Sequence, residues 1–200
     1  MSHYDSHIIG IFQDDSETVK EFLKIAINTI FFNRLLNNNK YICESSAIKN
    51  ISYMKIEDDS LQKDIGNKLN EISSLSKHYQ KFQINLDFYT AYQGGIFGFF
   101  KKKGNIWEQW SILVIITEKG SKDKESNMRK IISNILNEVN TNKDFMPDMK
   151  LKSFENLSNM DNKEENNDNC NIPYEITIKT EFEQNSMIKL FRENKFNNQE

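Results

Sequence analysis

Ile84-Asn85-Leu86-Asp87-Phe88-Tyr89-Thr90-Ala91-Tyr92 and Ile106-Trp107-Glu108-Gln109-Trp110-Ser111-Ile112-Leu113-Val114-Ile115-Ile116-Thr117 read as two strands. Between them run Gln93-Gly94-Gly95-Ile96-Phe97-Gly98-Phe99-Phe100-Lys101-Lys102-Lys103-Gly104. In the first strand Ile84, Leu86 and Phe88 alternate with polar residues, the period of a half-buried strand. Ile112–Ile116 is apolar without a break, which suits a central strand covered on both faces. The glycines of the connection discourage helix and central strand alike, and connections run over the surface. The expectation is an exposed, mobile loop displaying Ile96, Phe97, Phe99 and Phe100. Full burial of one such side chain is worth about 1.5–3 kcal/mol, so four of them hold a reserve for a partner or a membrane. The same four would also be satisfied by folding back to plug one end of the core. Composition alone leaves hook and plug both open.

Working outward, helical spacing dominates the rest of the chain. Asp14-Asp15-Ser16-Glu17 offers capping oxygens and an acidic first turn. Val19, Phe22, Leu23, Ala26, Ile27 and Ile30 then form one apolar stripe, prolonged by Phe31, Phe32, Leu35 and Leu36 up to Asn37-Asn38-Asn39. Asp58-Asp59-Ser60 caps a second helix, with a stripe from Leu61 to Tyr79 and a mildly unfavourable Gly66 inside it. Met128, Ile131, Ile132, Ile135, Leu136 and Val139 mark a third, closed by Phe145-Met146-Pro147. His7–Phe12, Tyr41–Cys43 and Ile51–Ile56 read as strands, and Tyr174, Ile176, Ile178 and Phe182 alternate cleanly with polar neighbours as another. Met187, Leu190 and Phe191 suggest a short closing helix. Residues 153–171 are rich in Asn, Asp and Glu and bury too little to offset ordering entropy, so a disordered polar insert is expected there. The order β-α-β-β-α-β-loop-β-α-insert-β-α gives an α+β fold, a mainly antiparallel sheet packed against about three helices, in one domain over 1–200.

A length of 200 residues suffices for a real core. The net charge of −3 gives no reason to expect nucleic acid as a partner. Two cysteines, Cys43 and Cys170, form no CxxC and no disulfide framework; Cys43 is expected in the core and a reducing compartment follows. No apolar stretch approaches the ~20 residues that span a bilayer, and no leader is apparent, so a cytoplasmic protein is expected. There is no P-loop, GxGxxG, HExxH or GxSxG. His3 and His7 flank Asp5 in a polar segment and are not expected to hold a metal, His78 reads as a helix-end cation, and Trp107 and Trp110 read as core and sheet-edge packing. No nucleophile, base and oxyanion donor come together, so no enzyme, no cofactor and no metal are expected.

The order of elements and three local stretches resemble the autophagy-related protein 101 family of HORMA-domain proteins. The stretches are the helix from Val19 to Arg34, the pair Leu86-Asp87-Phe88-Tyr89 and Trp107-Glu108-Gln109-Trp110, and the helix Ile131–Val139 leading to Phe145-Met146-Pro147. The likeness extends over about 8–149 and 172–196. It implies a HORMA-like fold and a non-catalytic subunit of the autophagy-initiating kinase complex. It implies pairing with the HORMA domain of autophagy-related protein 13. It also implies recruitment of downstream autophagy factors to the site of autophagosome formation through an exposed aromatic loop. The family carries Trp-Pro-Phe in that loop. Here Ile96-Phe97-Gly98-Phe99-Phe100 stands instead, with Phe97 and Phe99 or Phe100 as the stand-ins. The alternative is a peripheral membrane module, with Ile96–Phe100 wedged into the interface and Lys101, Lys102 and Lys103 on anionic lipid.

Overall fold

The computed structural model describes residues 5–35, 40–90, 93–94, 101–102, 104–141 and 173–180. The expected insert at 153–171, the Phe145-Met146-Pro147 stop and the closing helix near Met187 lie outside the described residues.

Two aspartates set where the first two helices begin. Asp15 is extended and its carboxylate accepts from Thr18 N at 2.9 Å, starting α1, Ser16–Arg34. Hydrogen bonds from the Thr18 amide first, and from Lys124 and the Thr18 hydroxyl, hold the Asp15 carboxyl well below the usual carboxylate range. Asp58 does the same for α2, Asp59–Leu75, accepting from Leu61 N at 3.0 Å. α2 stops before Tyr79, which is exposed, and His78 lies in the turn beyond it, its amide bonded to Leu75 O. The third helix, α3, spans Lys124–Thr141.

The strands are β1 (Asp5–Asp14), β2 (Tyr41–Ser45), β3 (Ser52–Ile56), β4 (Lys81–Tyr89), β5 (Gln93–Gly94), β6 (Lys101–Lys102), β7 (Ile106–Ile116) and β8 (Tyr174–Lys179). Four of them form one sheet in the order β1-β7-β4-β8. β4 runs antiparallel to both β7 and β8, while β1 runs parallel to β7, so the sheet is mixed and mostly antiparallel. β2 and β3 form a separate antiparallel ribbon.

Register assigns the faces. Phe82, Ile84, Leu86 and Phe88 pair across from Val114, Ile112, Trp110 and Glu108, and Ile178 and Ile176 flank Ile84 and Leu86 from β8. Onto this face pack Val19, Phe22, Leu23, Ala26, Ile27 and Ile30 of α1, Leu61, Ile65, Leu69 and Ile72 of α2, and Met128, Ile135 and Val139 of α3, in one continuous core. Among the described residues the chain adopts an α+β fold with three helices over a mostly antiparallel sheet, as in a HORMA-like domain.

β4 departs from the expected half-buried strand. Asn85 and Asp87, on the face away from the core, are themselves buried. They are satisfied laterally: Ser111 donates its hydroxyl to Asn85 Oδ1 at 3.0 Å and Gln109 donates to Asp87 Oδ1 at 2.6 Å. Alternation of polar and apolar residues was a correct sign of a strand but not of solvent on its second face. Cys43, expected in the core, is exposed. It sits on β2, the ribbon strand farther from α1, while β3 supplies Tyr53 and Ile56 to the core.

Candidate functional site

The two central strands continue beyond the sheet as a hairpin. After β4, Thr90 N donates to Asn105 O at 2.9 Å and Asn105 N returns a bond to Thr90 Oγ1 at 3.1 Å. Farther out Gln93 pairs with Lys102 and Gly94 with Lys101, antiparallel. The Gly-rich connection, expected as loop throughout, therefore begins and ends as a short paired stalk. Gly94 is tolerated in the pairing because a two-stranded ribbon is all edge, where a glycine costs less than in a central strand. Residues 95–100 connect Gly94 to Lys101 in the sequence. Ile96, Phe97, Phe99 and Phe100 all fall there, and with Lys103 they lie outside the described residues. Lys101 and Lys102 belong to the stalk.

The clasp at the root has a steric signature. A Cβ on Gly104 would stand 2.7 Å from the Thr90 carbonyl oxygen and closer still to its hydroxyl. Gly104→Ala must therefore push the two strands apart at the first pair of the stalk. The expected cost is about 1–3 kcal/mol of stability, read from the midpoint of urea unfolding, with overpacking as the cause. An unchanged midpoint would mean that the clasp is not closed in solution.

Behind the clasp the root is braced by aromatics. Phe88 meets Trp107 with ring centroids 5.8 Å apart and Phe31 of α1 at 5.4 Å, and Phe31 meets Tyr174 of β8 edge-on at 4.9 Å. Tyr89 N donates to Pro173 O at 2.8 Å, and Tyr89 OH to Glu175 at 2.8 Å. Burial first, then the bond to Glu175, raises the Tyr89 pKa, so this hydroxyl stays a donor at any physiological pH.

One residue past Trp107 lies a buried charge cluster. Glu108 is 1% exposed and faces inward with Trp110, Ile112 and Val114. Arg34, from the last turn of α1 and 2% exposed, grips it with two nitrogens, Nε to Oε2 at 2.7 Å and Nη2 to Oε1 at 2.6 Å. His7 of β1 places Nε2 3.1 Å from the same carboxylate and Nδ1 3.2 Å from Glu138 of α3. The His7 ring lies on Trp110 with centroids 4.3 Å apart, and the Arg34 guanidinium sits 5.7 Å from the Trp110 ring centroid. Burial opposes charge on Glu108, but the bonds from His7 and Arg34 prevail and its pKa is lowered. The cluster ties four elements together within two residues of the root of the hairpin.

A protein-family model, autophagy-related protein 101, matches residues 12–153. That span is well over half of the chain and includes α1, the tip at 95–100, Trp107–Trp110 and the whole of α3. The chain belongs to the autophagy-related protein 101 family. No curated protein sequence matches it. Membership gives the protein a role in autophagy, with protein partners in that machinery.

For this member of the autophagy-related protein 101 family, Lys101 and Lys102 pair with Gly94 and Gln93, and Trp107 and Trp110 of β7 pack against Phe88 and His7. His7, half of the His3/His7 pair that was not expected to hold a metal, has both ring nitrogens engaged with carboxylates; His3 lies outside the described residues. The charge cluster escaped the sequence reading. Its partners are 74, 101 and 131 positions apart, beyond any local spacing. A signal was nevertheless present: Glu108 shares the inward parity of Trp110 and Ile112, and Arg34 falls on the stripe of Ile27, Ile30 and Phe31. A carboxylate and a guanidinium on two apolar faces need each other. Among the described residues no helix is long and apolar enough to cross a membrane.

Proposed function

We propose that this protein is a non-catalytic adaptor in autophagosome formation. Its folded body pairs with the HORMA domain of autophagy-related protein 13 within the autophagy-initiating kinase complex. Its hairpin tip, through Ile96, Phe97, Phe99 and Phe100, recruits downstream factors. The observation that supports the reading is the short ribbon: Gln93 and Gly94 pair with Lys102 and Lys101 on either side of six residues whose sequence holds four large apolar side chains. Aromatic side chains on a short, anchored hairpin lose little conformational freedom on binding, which favours their use as anchors. The protein works in the cytoplasm and is drawn to the site of autophagosome formation. Affinity purification from the native cell tests the pairing; recovery of a HORMA partner from the initiation complex is the expected result, and its absence would remove the adaptor reading.

One observation favours a second reading. Lys101 and Lys102 pair with Gly94 and Gln93 and follow Ile96–Phe100 directly in the sequence, so basic residues adjoin the apolar segment that would insert. Each basic residue near an anionic surface contributes about 1 kcal/mol. Under this reading the isolated protein floats with phosphatidylserine liposomes at low salt and is released at high salt. Flotation that never exceeds that with neutral liposomes leaves the adaptor alone.

A further inference from the structure

His7 stands between two carboxylates. A neutral imidazole carries one N–H and one lone pair, whereas ionised carboxylates only accept. With Glu108 at 3.1 Å from Nε2 and Glu138 at 3.2 Å from Nδ1, both contacts are hydrogen bonds only when both nitrogens carry protons. The charges then alternate from Arg34 to Glu108 to His7 to Glu138, each on a different element. The Trp110 ring lies against the imidazole, with centroids 4.3 Å apart. Glu138 also sits in the last turn of α3, where the helix dipole opposes a negative charge, so its placement is favourable only with a cation opposite.

We propose that His7 is a proton-dependent latch that holds the C-terminal end of α3 on the sheet. With the ring doubly protonated, Glu138 of α3 is tied through His7 to Glu108 of β7, which Arg34 of α1 holds in place. Loss of the proton leaves one carboxylate facing a lone pair. Glu108 stays with Arg34 because it is buried and doubly gripped. Glu138, whose side chain is 46% exposed, turns to water instead. The release is therefore local to α3 and leaves the core intact.

The direction of the pH dependence follows. Burial lowers the His7 pKa, but the bonds to Glu108 and Glu138 outweigh it, and the net value is raised above 6.5. A group raised on folding contributes its full stabilisation below the unfolded pKa of about 6.5 and loses it as pH rises through the higher folded value. The latch is closed on the acid side and opens toward the alkaline side.

Nitrogen NMR of the His7 ring and amide exchange along α3, corrected for intrinsic rates, test this on the full chain. The expected ring is doubly protonated at about pH 6 and titrates above the ordinary histidine value. Exchange in the last turns of α3 should rise severalfold across that titration, as the tie through Glu138 is lost. Glu138→Gln, a change on a half-exposed side chain, should lower the His7 titration point and remove the pH step while the protein stays folded. A neutral single tautomer at about pH 6, an unchanged titration in Glu138→Gln, or pH-independent exchange in α3 would each overturn the latch.

Discussion

Glu108→Ala is expected to remove about 3–5 kcal/mol of stability, the largest loss of any single polar substitution in the described fold. The magnitude comes from what is left behind. A guanidinium does not shed its charge in a protein, and with Glu108 gone Arg34 remains 2% exposed without the carboxylate that two of its nitrogens grip. His7 loses its buried acceptor at the same time. Domains of this size are stable by only about 5–15 kcal/mol, so the variant stands near the edge of folding. Urea unfolding followed by circular dichroism measures it. Glu108→Gln keeps the shape and one acceptor oxygen and should lose less. The double variant Glu108→Leu with Arg34→Met should recover much of the loss, because an apolar pair of similar volume carries no desolvation cost. A Glu108→Ala protein within about 1 kcal/mol of wild type would show that water reaches the cluster and that these charges are not buried together.

What could be read from the sequence was what local spacing encodes. The stripe from Val19 to Ile30, the Asp15 and Asp58 caps and the alternation after Tyr174 each concern residues a few positions apart, and each matches α1, α2 and β8. The site was legible as composition, because glycines between large apolar residues stand out against a polar background. Its stalk was not, since two pairs made by Gln93, Gly94, Lys101 and Lys102 have no periodicity to detect. Burial of Asn85 and Asp87 was also hidden, because it depends on cross-strand donors from Ser111 and Gln109 that only the register reveals. Cys43 was misplaced for the same reason: a short ribbon strand reads alike whether it faces the core or solvent.

Replacing Phe97 and Phe99 by Ala together is expected to abolish recruitment of downstream autophagy factors while leaving the fold untouched. The tip is tethered through the stalk and the Thr90–Asn105 clasp. Among the described residues the aromatic packing behind the clasp is made by Phe88, Trp107, Phe31 and Tyr174. On the adaptor reading the residues at 95–100 add nothing to that packing, so truncating them should leave the root as it is. An aromatic anchor filling a pocket on a partner typically contributes about 2 kcal/mol or more. Two of them together correspond to a loss on the order of a thousandfold in affinity. The stability of the double variant should stay within about 0.5 kcal/mol of wild type, as for surface changes. Phe100→Ala alone should produce a smaller, graded loss if Phe97 and Phe99 are the principal anchors.

As an adaptor, the protein is expected to bind one partner through its body and another through residues 96–100. Pull-down of wild type and the Phe97→Ala, Phe99→Ala variant side by side, scored for the HORMA domain of autophagy-related protein 13 and for downstream autophagy factors, tests it most directly. Equal recovery of the HORMA partner by both proteins, with downstream factors retained by wild type alone, is the result predicted. A double variant that unfolds, loses the HORMA partner, or recruits downstream factors as wild type does would contradict it.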